Sequence, residues 1–399
     1  MSDAILLTGA TGFVGMAVLA RLLERDERPV VVLVRADDQE QADARLRDVL
    51  GDLCAEPEEH LWRVRAVAGD LELPGLGIES HARDRIAEEV GEIVHAAASV
   101  SFELALDASR AINVAGTRRM LDLARECAAS GGGLRRFTYV STAYVAGTRS
   151  GTVHEHELAA GQDFRNAYEH SKHEAEMLVQ SCHGELPVTV VRPSIVVGER
   201  GTGWTTSFNV MYAPLRAFSL GAYSVVPGRR RAHVDIVTVD HLADAIVALG
   251  AAPEARGGTF HVVGGDNATT LGEMADLSAR RFGRRMPRFV PPPIYRRAIE
   301  PFLLRRGDAP RRKALRRTAV YLPYFSLRLS FDDRRARALL DPLGIRATPI
   351  AEHFDEIVDF ALAAGWGRRP ISRLQAHAIA DEARAEESPF VRAPAVAVD

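Results

Sequence analysis

In the stretch "NAYEHSKHEAE", residues 166–176, Tyr168 stands four positions before Lys172. On a helix that spacing puts both side chains on one face, a turn apart. A phenol beside an ammonium is an acid with a tuning charge, suited to giving a proton to an oxygen that is becoming negative. The bland alternative is two residues of an ordinary amphipathic helix. Composition weighs against it, because of 50 Lys plus Arg only Lys172 and Lys313 are lysines. With 8 tyrosines in 399 residues, a chance Tyr-x-x-x-Lys is expected about 0.04 times. Arginine cannot stand in for a compact ammonium that must approach both a phenol and a sugar hydroxyl.

A further hydroxyl comes from "TYVSTAYVAGT" (138–148), which ends a strand pattern with Ser141 and Thr142. Open α/β sheets place their sites at that carboxyl edge. The expected arrangement has Thr142 and Tyr168 binding one carbonyl oxygen. Lys172 lowers the phenol pKa and reaches the ribose of a nicotinamide cofactor. The oxygen gains charge as hydride arrives, so such donors act mainly on the transition state.

"LLTGATGFVGMAVLARLL" supplies the matching cofactor signal, with Gly9, Gly12 and Gly15 spaced directly after a strand pattern and before a helical one. A tight glycine turn lets backbone approach a pyrophosphate, whose charge the helix N-terminus favours. Thr11, Phe13 and Val14 belong to the same turn. The second strand ends in Arg35, where chains that bind NAD usually carry an acid. Arg35, with Arg45 from the next helix, suits a 2′-phosphate, so NADPH is the expected cofactor. Asp37 and Asp38 are the counter-evidence. Asp70 and Leu71, in "GDL", fall where the adenine would lie. Ala96, Ala97 and Ala98 are small enough to pass under the cofactor, or simply pack tightly at a strand end. His95 reads as a packed strand-end residue.

These residues need a scaffold. "AILLT" (4–8), "PVVVLVR" (29–35), "RVRAVAGD" (63–70), "EIVHAAA" (92–98), "RRFTYVST" (135–142), "PVTVVRPSIVV" (187–197) and "TFHVVGG" (259–265) read as strands. Their nearly continuous apolar character is that of a parallel sheet covered on both faces. Amphipathic stretches alternate with them, so the fold class is α/β, a Rossmann-type doubly wound sheet with a mainly helical C-terminal cap. Residues 1–197, completed by 232–265, form the expected NADP-binding unit. Residues 198–231 are an excursion over the ligand, 266–370 a helical substrate-binding cap, and 371–399 a helical then frayed tail. Asp240 is placed to cap "HLADAIVAL".

The net charge of −3 gives no reason to expect a nucleic acid partner. The start "MSDAILL" is unlike a secretory leader, and no run of 18 apolar residues suggests a membrane span. Cys54, Cys127 and Cys182 are scattered without metal spacing, which argues against zinc or a disulfide frame and suits a cytoplasmic chain. No metal is expected.

Together, the glycine motif, "YVSTAYV" and Tyr168-x-x-x-Lys172 resemble the extended short-chain dehydrogenase/reductases over roughly residues 3–265. "GDLELPGLGI", "IVHAAASVSFE", "NVAGT", "RPSIVVGE", "GTGW" and "DIVTVD" narrow the resemblance to the fatty acyl-CoA reductases and the thioester-reductase domains of carboxylic acid reductases and peptide synthetases. "YLPYFSLRLSFD" fits more loosely. The resemblance implies NADPH-dependent reduction of an acyl thioester to aldehyde and free thiol, with a second reduction to alcohol left open. It also implies that Asn113, Ser141, Pro193, Ser194 and Ile195 lie at the cofactor. Ser101, Trp204, Thr205 and Phe208 would face the substrate, although Trp204 reads equally well as a core anchor. The chain as read carries no adenylation or carrier domain, so the acyl group is expected on free CoA or on a separate acyl carrier protein. The basic segment 295–324 has three readings: a solvated face, contacts to CoA phosphates or an acidic carrier, or a peripheral membrane surface. Competing functions are reduction of a free ketone or aldehyde, a non-catalytic NADPH sensor, and a carbohydrate epimerase.

Overall fold

The computed structural model describes residues 3–130, 133–306 and 308–387. Of the expected frayed end, 386–399, residues 388–399 lie outside the described residues, while Glu386 and Glu387 close the last helix. Seven parallel strands make the central sheet: β1 (Ala4–Thr8), β2 (Val30–Arg35), β3 (Val64–Gly69), β4 (Val90–His95), β5 (Arg136–Val140), β6 (Val188–Pro193) and β7 (Thr259–Val262). Their spatial order is β7-β6-β5-β4-β1-β2-β3. Strand order reverses between β1 and β4, which opens a crevice at their carboxyl ends.

Side chains of period two explain the layers. Ile5 and Leu7 of β1 point into one apolar layer, with Val18 and Leu22 of α1 (Phe13–Arg25) and Leu46 and Leu50 of α2 (Gln39–Leu53). Ala4 and Leu6 point into the other, with Ile86 of α3 (Ser80–Glu89), Leu121 and Leu123 of α4 (Gly116–Ala129), and Val179 of α5 (Ala167–Ser181). Each fully buried Leu or Val contributes about 1.5–3 kcal/mol relative to exposure, so the two layers hold the strand ends rigidly.

Two local expectations are corrected. The run 187–197 is not one strand. It breaks at Ser194, and Ile195–Val197 leaves the sheet to pair in parallel with Ile236–Thr238. Asp240 does not cap its helix, α6 (Val239–Ala251), whose N-cap is Thr238 without a side-chain bond. The Asp240 carboxylate instead accepts from the backbone N–H (3.1 Å) and Nε (2.5 Å) of Arg200, tying the excursion after β6 to the start of α6. Beyond β7, helices predominate, including Leu271–Arg281, Ala309–Thr318, Phe354–Ala363 and Arg373–Glu387.

Candidate active site

One cavity of about 710 Å³ sits over the crevice. It is lined by Gly9, Thr11, Gly12, Phe13, Val14 and Gly15 from the first turn, and by Arg35, Arg45, Asp70, Leu71, Ala96, Ala97 and Ala98 from the neighbouring strand ends. Ser141, Thr142, Tyr168, Lys172, Pro193, Ser194 and Ile195 complete the opposite wall. Residues from 9 to 195 thus meet because most of them end or follow a strand at the same sheet edge, while Arg45 and Lys172 reach it from within helices Gln39–Leu53 and Ala167–Ser181.

The glycine turn tests whether a dinucleotide fits. Gly9 has φ +80°, and a Cβ there would lie 2.8 Å from the Ala97 nitrogen, so only glycine lets β1 and β4 close. A Cβ at Gly15 would overlap the Gly9 carbonyl oxygen. Gly12 has neither constraint, with nothing nearer than 3.4 Å, and it faces the cavity. The Gly12 N–H donates to the Gly9 carbonyl at 2.9 Å, and α1 starts immediately after. Backbone N–H groups at this helix start are therefore presented to the cavity, as a pyrophosphate requires.

At the far end, Arg45 donates to the backbone carbonyl of Arg35, so the two guanidinium-bearing residues share one corner. Of the acids weighed against them, Asp38 is engaged elsewhere. It is the N-cap of α2, accepting from the Gln41 N–H at 2.8 Å, and neither Asp37 nor Asp38 lines the cavity.

α5 delivers the chemistry. Its N-cap Asn166 accepts from the Glu169 N–H at 2.9 Å, which starts the helix just before Tyr168. Burial pushes the Tyr168 phenol up to about 12, while the Thr142 hydroxyl pulls it back toward its ordinary value. The expectation that Lys172 lowers the phenol pKa is thus not what governs it here. The phenol is a protonated acid at neutral pH. Lys172 donates to the Tyr139 hydroxyl (2.7 Å) and the Val140 carbonyl (2.8 Å), and burial pulls its ammonium down to about 7 against the opposing charge of Glu176.

Several participants were not singled out from sequence. Glu176, one further turn along α5, is fully buried, accepts from Arg192 at 2.6 Å and from the Ser141 hydroxyl at 2.5 Å. Its signal was the continued spacing of four, Tyr168–Lys172–Glu176. Phe102 stacks on Tyr168 (5.7 Å) and Tyr324 (5.6 Å), and Tyr324 donates to the buried Glu169 at 2.5 Å. No local spacing joins residues 102, 168 and 324. His95 lies under the site, bonded to Thr8 (2.8 Å) and Thr117 (3.2 Å), and burial followed by the charge of Lys172 drives it down to about 3.

Other expected residues stand elsewhere. Asn113 does not line the cavity; it bonds the backbone of Ser99 and the Ser171 hydroxyl (2.9 Å), holding the chain after β4 against α5. Trp204 is fully buried against Phe13, with ring centroids 5.8 Å apart, because its large apolar surface closes the core beneath α1. Thr205 folds back on Ser207, Phe208 packs on Tyr212 and Phe360, and Ser101 caps a turn at Glu103. None of these four lines the cavity, whereas Thr206, Ser207, Asn209 and Val210 do.

The fold and the glycine turn, with Tyr168 and Lys172 in the wall of the strand-end cavity, are those of a nucleotide-binding Rossmann chain, and its relatives place it among oxidoreductases. The chain belongs to the NAD-binding family described as "Male sterility protein", which it matches over residues 7–246. It is 31% identical over 281 residues to the fatty acyl-CoA reductase wat of Drosophila melanogaster, covering 61% of this chain and 53% of that one. It is 31% identical over 307 residues to the carboxylic acid reductase of Mycobacterium marinum, covering 68% and 25% respectively. The chain thus spans about half and about a quarter of these relatives. Among solved structures, the terminal R domain from the myxalamid PKS-NRPS biosynthetic pathway is 28% identical with a TM-score of 0.79, covering 92% of each chain. The R domain of a nonribosomal peptide synthetase from Mycobacterium tuberculosis is 25% identical with a TM-score of 0.68, covering 92% and 93%.

Proposed function

We propose that this chain reduces an acyl thioester to an aldehyde and a free thiol, using NADPH. The observation that carries this reading is an apolar compartment of about 110 Å³ adjoining the catalytic cavity. The two share Tyr144, Ile195, Val210, Tyr321 and Tyr324 as walls, and Met211, Leu215, Phe218, Leu271 and Met274 line the deeper part. Such a lining takes an acyl chain and leaves the carbonyl to be held at Tyr168 and Thr142. The relatives named as fatty acyl-CoA and carboxylic acid reductases support the same substrate class.

The Arg35–Arg45 corner supports NADPH, since a guanidinium pair fits a 2′-phosphate and no carboxylate of the cavity lining lies on that strand end. The bound nicotinamide would supply the hydride. The chain's own part is to hold the thioester oxygen between the hydroxyls of Thr142 and Tyr168, and to give it the phenolic proton. Lys172, on the same helix face, would hold the cofactor ribose and assist the phenol electrostatically once charge develops. Delivery of the acyl group as CoA thioester or on a carrier protein, in the cytoplasm, completes the proposal. Cys54, Cys127 and Cys182 are all free thiols, as that compartment favours. Among the described residues no helix is long and apolar enough to cross a membrane.

The test is an incubation with NADPH and a series of acyl-CoAs, following cofactor oxidation and thiol release together. Matched loss and release, reduced about 10²–10⁴-fold by Tyr168→Phe, is the expected result. Two cofactors oxidised per thiol would extend the reaction to alcohol. Turnover of free aldehydes or ketones without thiol release from any acyl-CoA would overturn the thioester reading.

A further inference from the structure

Three arginines, on elements that also supply walls of the two cavities or pack against those walls, have no ion-pair partner among the described residues. Arg216 is half-buried on helix Tyr212–Ser219, which packs against helix Ala309–Thr318, the carrier of Arg317. Arg368 follows Gly367, whose backbone abuts the Phe208 ring, and Phe208 lies between the cavity-lining Ser207 and Asn209. Arg317 precedes Tyr321 by one turn, and its charge acts on the Tyr321 phenol at the wall shared by the cavity and the apolar compartment. Burial first, and then the charges of Arg368 and Arg317, hold the Arg216 guanidinium below its ordinary value.

Neighbouring arginines behave differently. Arg284 and Arg311 donate to the carbonyls of Ser219 and Leu220, so they close the C-terminus of helix Tyr212–Ser219. Arg281 pairs with Asp359, and Arg230 with Asp276. No side chain of Arg216, Arg317 or Arg368 makes an ion pair or hydrogen bond among the described residues. Glu103 is the carboxylate whose charge also acts on the Tyr321 phenol, and among the described residues no ion pair joins it to any of the three. Mutually repelling guanidinium groups, one of them half-buried, are stabilised by a multivalent anion, and planar guanidinium forks match phosphate oxygens.

We propose that Arg216, Arg317 and Arg368 bind the phosphate of the phosphopantetheine arm that carries the acyl thioester, a group shared by CoA and carrier proteins. This rests on the thioester reading above, and it adds what recognises the donor. Acyl chain and phosphate would then lie to either side of the Tyr321 wall, with the thioester carbonyl held at Tyr168.

The test compares kcat/KM for three donors of one acyl group: acyl-pantetheine, acyl-phosphopantetheine and acyl-CoA. In Arg216→Ala, Arg317→Ala and Arg368→Ala, the preference for the two phosphate-bearing donors over acyl-pantetheine should fall about tenfold each, through KM rather than kcat. Unchanged melting temperature separates this from misfolding. An unchanged preference in all three variants would overturn the proposal, as would an equal fall in Arg305→Ala/Arg306→Ala, two exposed arginines of the segment Glu300–Arg306, since that would indicate a diffuse field. A fall confined to acyl-CoA would move the contact to the nucleotide phosphates and overturn the shared-arm assignment. Absence of turnover with every thioester would instead strike the thioester reading itself.

Discussion

Lys172 carries the tightest constraint at the scale of single residues. Its ammonium is buried, held by a phenol and a carbonyl, and pulled down to about 7 by desolvation. The unfolded chain holds the same proton up to about 10.4, so between those values it binds more protons than the folded chain. The contribution of Lys172 is therefore an instability that is complete below pH 7 and disappears as pH rises toward 10. Because the chain has only Lys172 and Lys313, [13Cε]lysine NMR of the cofactor-free protein should give two signals. One, absent from Lys172→Met, is expected to titrate with a midpoint near 7. A Lys172 signal still fully protonated at pH 9 would contradict this account.

At the scale of elements, α5 is an organising rod. Tyr168, Lys172 and Glu176 descend one face, and each is tied to a different neighbour. The cap reaches its first turn through Tyr324 and Glu169, while β6 reaches its middle through Arg192 and Glu176. The Glu176–Arg192 pair is wholly enclosed, so removing one partner strands the other charge. Glu176→Ala is expected to destabilise the fold by about 3–5 kcal/mol in denaturant melts. A matched apolar pair, Glu176→Leu with Arg192→Met, should recover much of that. A single-variant cost under about 0.5 kcal/mol would show that the pair is not what seats the helix.

For the whole molecule, the last described helix, Arg373–Glu387, is bolted by charge to α1 and to the segment that follows Ile195–Val197. Arg373 donates to Glu199 (2.8 Å) and Glu24 (2.8 Å), and His377 meets Glu199 at 3.0 Å. Burial would raise the Glu199 carboxyl, but hydrogen bonds from His377 and Arg373 outweigh it and bring it to about 2. A lowered carboxylate stabilises fully above its ordinary value near 4.5, and that contribution is lost as pH falls toward 2. Hydrogen exchange in 373–387 should accordingly accelerate between pH 4.5 and 2 relative to the sheet, and Glu199→Gln should flatten that dependence. Equal pH dependence in the variant would assign the clamp to other groups.

Local chemistry made much of this protein readable in advance. Strand runs follow from apolar continuity, and the glycine turn from the positive φ of Gly9 and the close approach of Gly15 to the Gly9 carbonyl, all of them short-range. The spacing of Tyr168 and Lys172 likewise needs only a helix. Tertiary structure decided what lies across from what. Trp204 went to the core beneath Phe13 instead of the cavity, because a large apolar ring finds more contact there than at a polar mouth. Glu176 acquired its role from Arg192, sixteen positions away on another element. Phe102, Tyr321 and Tyr324 became one wall only when the cap closed over β4 and α5. The arginines at 216, 317 and 368 became a cluster for the same reason. Sequence determines which residues can do chemistry and which periods they obey; packing faces determine who meets whom, because burial is settled by the whole surface and not by neighbours in the chain.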